Sequence, residues 1–74
     1  MEFTTTTSTY RLEKEGKDFI LTKLSVAPGQ FSVVIPGQSF RSPYVAMMGN
    51  SLCVGNMHTS PITNHQEVRE FISE

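Results

Sequence analysis

Apolar positions recur mostly at every second residue, the period of a strand, and take up the three-and-four spacing of a helix only near the C-terminus. From Thr4 to Lys14 the alternation is weak: Tyr10 and Leu12 share one face, Thr9, Arg11 and Glu13 the other, and threonine suits a half-exposed pleat. Glu15-Gly16, between Lys14 and Lys17, has the chemistry of a hairpin reversal. Asp18 to Val26 follows as a second strand. Ile20, Thr22, Leu24 and Val26 fall on one of its faces and Phe19, Leu21 and Lys23 on the other, so apolar residues on both sides of Phe19 to Leu21 predict an end covered twice.

The middle of the chain sets a short apolar run, Phe31 to Ile35, between two copies of Pro-Gly-Gln, at 28–30 and 36–38. Proline presets φ for the second position of a turn and glycine accepts the positive φ of the third, so a turn is predicted at each end of a central strand rich in β-branched residues. Gln38 to Pro43 carries no period and reads as the longest irregular connection. Tyr44 to Met48 resumes as a strand, and Met48-Gly49-Asn50-Ser51 is a hairpin signal with Leu52 to Met57 as the returning partner. Gly55-Asn56 is then a bulge or the point where pairing stops. The two Pro-Gly-Gln copies and the two Gly-Asn pairs fall short of the spacing of repeat architectures and read as turn chemistry recurring.

Asn64 to Ile72 has the only helical pattern. Asn64 is the expected cap, Glu67 the other half of a capping box, and Val68, Phe71 and Ile72 the buried face. So short a helix needs that face laid on a sheet. The predicted fold is α+β, a small twisted antiparallel sheet of four to five strands in meander order with one C-terminal helix packed on one face. It forms a single domain over residues 1–74, with residues 1–6 expected to fray.

Size sharpens this picture. A chain of 74 residues buries only about 60% of the surface its unfolded form exposes, so its stability margin is thin and self-association or a partner is an expected supplement. The single cysteine, Cys53, allows no internal disulfide, which fits a reducing compartment. The threonine-rich start lacks the basic and apolar regions of a signal peptide, and no apolar run approaches the roughly 20 residues of a membrane span. The expectation is a soluble, cytoplasmic protein with no membrane partner.

Candidate chemistry is sparse. Cys53, His58 or His65, and Asp18 have the residue types of a nucleophile, base and orienting group, but Cys53 between Leu52 and Val54 reads as a small buried hydrophobe. Cys53, His58 and His65 are also too few and too spread for a closed zinc site. The glycines form no phosphate-cradling motif. The chain is therefore read as a non-enzyme without cofactor or metal. A net charge of −1 offers no field for phosphate, so nucleic acid is an unlikely partner, and Tyr10, Arg11, Arg41 and Tyr44 form the alternative single-strand binding set.

What remains is a surface for protein. Met47, Met48 and Met57 flank the Gly49-Asn50 hairpin, and methionine and aromatic residues are favoured in adaptable contacts, although the same methionines would also fill gaps in a core. The expected partner-binding residues are Phe40, Arg41, Tyr44, Met48 and Asn50. Exposed strand edges offer a second mode, in which another strand adds to the sheet, and the threonine-rich first strand is an expected edge. The predicted function is a protein-binding module that occupies a surface on a larger protein and forms a homodimer or higher oligomer. Its build is that of small inhibitors and accessory proteins, phage-encoded blockers of host proteins among them. A structural subunit of a larger homo-oligomer is the other alternative.

Overall fold

The computed structural model describes residues 1–29 and 35–74. Among these, seven strands and one helix follow in the order β1 (Glu2–Thr4), β2 (Ser8–Glu15), β3 (Asp18–Val26), β4 (Ser39–Ser42), β5 (Val45–Met48), β6 (Ser51–Val54), β7 (Met57–His58) and α1 (His65–Ser73). The α+β class, the antiparallel order and the C-terminal helix are those the sequence predicts. The strands, however, divide into two sheets, β1-β2-β3-β4 and β5-β6-β7, in place of one sheet of four or five. The expected central strand over Phe31 to Ile35 lies, but for Ile35, outside the described residues.

The expected first strand is cut in two by the hydroxyl of Thr5. Its Oγ1 accepts the N–H groups of Thr7 (3.2 Å) and Ser8 (3.0 Å), and Thr5 N–H donates to Ser8 C=O (2.8 Å), which folds the chain back between β1 and β2. Residues 2–6 lie in β1 and this turn, and ahead of them Met1 C=O accepts Leu12 N–H at 2.7 Å. The outer edge of β1 is partly covered: Thr6 N–H donates to Pro61 C=O (3.1 Å) and Thr63 N–H to Thr4 C=O (2.8 Å).

The predicted reversals stand where their glycines are. Gly16 has φ +61° in the β2–β3 turn, where Glu15 faces Asp18, and Gly49 has φ +62° in the β5–β6 turn, where Met48 faces Ser51. At the second Pro-Gly corner Gln38 N–H donates to Ile35 C=O (3.2 Å) around Gly37 at φ +93°, a type II turn. Gly55-Asn56 is a third outcome beside bulge or stop. Val54 faces Met57 across it, so the pair makes a second hairpin and β7 returns on β6.

The expected irregular connection, Gln38 to Pro43, contains β4 instead. Ser39 to Ser42 pair with Thr22 to Phe19, which uses backbone groups and needs no apolar period. This register builds the core in layers. Leu12, Leu21 and Phe40 stand side by side across β2, β3 and β4, and Phe3, Tyr10 and Lys23 form the neighbouring row, with Phe3 and Tyr10 stacked at 5.4 Å. Leu52 and Val54 of β6, Ile62 and Val68 close the cluster, with Met47, Met57, Phe71 and Ile72 packed against it. Met47 and Met57 thus belong to the core, while Met48 is exposed.

Asn64 precedes the helix without capping it through its side chain. Its Oδ1 accepts Thr4 N–H (3.2 Å) while its Nδ2 donates to Glu67 Oε2 (3.3 Å), so the predicted capping pair touches through other atoms and the asparagine ties the helix to β1. Among the described residues no helix is long and apolar enough to cross a membrane.

Candidate protein-binding surface

The five expected contact residues part company in space. Phe40 faces inward and packs against the core. Arg41 stands on the outer face of the first sheet, its Nε donating to Asp18 Oδ2 (2.8 Å) and its Nη2 to Glu15 Oε1 (3.3 Å). The bond to Asp18, then the charge of Glu15, hold its guanidinium above the ordinary arginine pKa. Tyr44, just before β5, and Met48, at its end, fall on the same outer face, 77% and 61% exposed, and the alternation of the strand sets exposed Ala46 between them. Asn50 lies at the adjoining turn, where its C=O accepts Ile62 N–H (2.7 Å).

Beside the Tyr44–Ala46–Met48 stripe and on the same face, Cys53 is buried on β6 directly opposite Ala46 on one side and His58 on the other. The Cys53 thiol and His58 therefore share a face, but Asp18 sits on the other sheet and His65 opens the helix. No three His, Cys, Asp or Glu side chains among the described residues gather closely enough to hold a metal ion. The hollow beside Cys53, about 350 Å³, is lined by Pro43, Tyr44, Val45, Ala46, Cys53 and Gly55 and opens to the surface. Its lining carries one thiol and the phenol of Tyr44 and is otherwise apolar or backbone, without a carboxylate, imidazole or amine.

The alternative stacking set is not assembled. Tyr10 is buried against Phe3, and Arg11 pairs with Glu2 at 3.6 Å. Tyr44 belongs with the second sheet, whose backbone its C=O joins by accepting Gly55 N–H (2.9 Å).

One feature of the surface was missed in reading the sequence although the sequence carries it. From Ser42 to Gln66 there is no Asp, Glu, Lys or Arg, so the whole second sheet is built without formal charge. All such charges lie outside it, on the first sheet, its turns and the helix. Ala46 was missed too, because its importance comes from lying between Tyr44 and Met48 on one face. Comparison with protein-family models, with curated proteins and with solved structures finds no match for this chain.

Proposed function

We propose that this chain is a non-enzymatic protein-binding module, an inhibitor or accessory protein that acts by occupying a surface on another protein through the outer face of its second sheet. The observation that supports this most directly is the exposed stripe of Tyr44, Ala46 and Met48 on a sheet without formal charge. Large apolar side chains held on a rigid strand, free of desolvated charge, are the makings of an interface core, and tyrosine and methionine are enriched there. Arg41 is engaged by two carboxylates on the other sheet, and Phe40 completes the core.

The test is capture of a partner from lysate of the native host by immobilised protein. Tyr44→Ser with Met48→Ser is expected to abolish capture while the circular dichroism spectrum is kept, and Arg41→Ala to leave capture intact. Undiminished capture by the double variant would refute the assignment of this face.

A further inference from the structure

We propose that a second copy of this chain adds to the free edge of β5, antiparallel, about a two-fold axis at Ala46. This rests on the reading of the β5 face given above and names its occupant. The phase of the β5–β6 ladder is set by two observations: Met48 and Ser51 close a two-residue turn, and Gly55 N–H donates to Tyr44 C=O. Ala46 and Met48 therefore turn their backbone groups toward β6, as does the C=O of Tyr44, whose N–H donates to Ser42 Oγ (3.0 Å), and those of Val45 and Met47 point the other way, where no strand among the described residues meets them.

Two copies of this edge fit one another. With Val45 of one copy opposite Met47 of the other, the outward backbone groups satisfy each other, and Ala46 faces the second copy's Ala46 as a non-hydrogen-bonded pair, the closer kind, at about 4.5 Å between Cα atoms. The smallest side chain of the stripe thus lies on the axis, where it meets its own copy. In the same register Tyr44 falls opposite the second copy's Met48, an aromatic–thioether contact, beside the apolar hollow lined by Pro43 and Cys53. Both large exposed side chains of the stripe thus gain a cross-strand neighbour at once, twice over by symmetry.

Charge makes the match selective. Around a two-fold axis any charged residue near the axis meets its own copy, and here no Asp, Glu, Lys or Arg occurs between Ser42 and Gln66. Among the described residues the other edges carry protection that β5 lacks: β1 is partly covered by Pro61 to Thr63, β4 bears Arg41 with Pro43 just beyond it, and β7 is only two residues long.

Sedimentation equilibrium of the purified full chain tests this without any other protein present. The expected mass rises with concentration from 8.3 kDa to twice that value. Ala46→Lys and Ala46→Glu, both at an exposed position, should each weaken self-association at least about tenfold at low salt. An equimolar mixture of the two should restore it, since the axis then sets a cation against an anion. A wild-type chain monomeric to about 1 mM, an unaffected lysine variant, or a mixture that fails to re-associate would each overturn the pairing. A monomer that still captures a different protein through Tyr44 and Met48 would sink this proposal alone and leave the broader reading of the face standing.

Discussion

Replacing Gly55 with alanine perturbs the joint between the two sheets. Gly55 sits at φ +57°, and a Cβ added there would stand 3.2 Å from Ser42 Cβ and 3.3 Å from its Oγ, whereas Gly16, at φ +61°, has nothing within 4 Å of the same point. The left-handed backbone costs an alanine about 1–2 kcal/mol, and the stiffer unfolded chain returns about 0.4–1 kcal/mol, so Gly16→Ala should destabilise by about 1 kcal/mol. At Gly55 the crowding adds to this. Ser42 has little room to retreat, because its backbone pairs with Phe19 and its Oγ accepts Tyr44 N–H at 3.0 Å. Overpacking of this kind costs about 1–3 kcal/mol, which brings Gly55→Ala to about 2–4 kcal/mol in total. Urea denaturation followed by circular dichroism measures both. Asparagine separates the two terms, since it tolerates positive φ: Gly16→Asn should be nearly neutral and Gly55→Asn should still lose about 1 kcal/mol or more. Equal losses for the two alanine variants, or a neutral Gly55→Asn, would refute the reasoning and with it the contact that sets one sheet against the other.

The helix and the buried titratable pair give two further tests. Val68 is the only fully buried residue of α1, so Val68→Ala should lower stability by about 2 kcal/mol, roughly two methylene equivalents plus a cavity, while Gln66→Ala on the exposed side changes it little; the shift in urea midpoint decides. Burial lowers the pKa of Lys23 below 10.5 and raises that of Tyr10 above 10.0, a hydrogen bond with Ser8 offsetting part of the latter. As pH rises from the folded value of Lys23 toward 10.5 the unfolded chain binds more protons and stability increases; as it rises past 10.0 the folded Tyr10 keeps a proton that the unfolded chain loses, and stability falls. Urea midpoints between about pH 8 and 11.5 should show a gain overtaken by a loss, and Tyr10→Phe should remove the loss alone. A midpoint that falls equally steeply in Tyr10→Phe would refute the assignment.

Much of this fold is written in local chemistry. A reversal needs positive φ at a particular residue, so Gly16, Gly37 and Gly49 mark turns that form, and a period of two or of three-and-four marks β3 and the Val68–Phe71–Ile72 face of α1; Gly55 marks a break whose outcome, a hairpin, depends on β7 returning to β6. Pairing across the chain leaves no such mark. The Thr5 hydroxyl cuts a strand because Ser8 comes back to it, and Ser39 to Ser42 become β4 because β3 offers an unpaired edge, not because their side chains alternate. The same holds for side chains of one type with opposite fates. Met47 and Met48 are neighbours in sequence, yet the orientation of β5 packs one against the core and exposes the other. Lys23 is buried because its register sets it beside Tyr10, with its Nζ 5.6 Å from that ring. Local steric demand is a property of a few consecutive residues and can be read from them. Which strands meet, and which of their faces turns inward, is decided only when distant segments compete for one core.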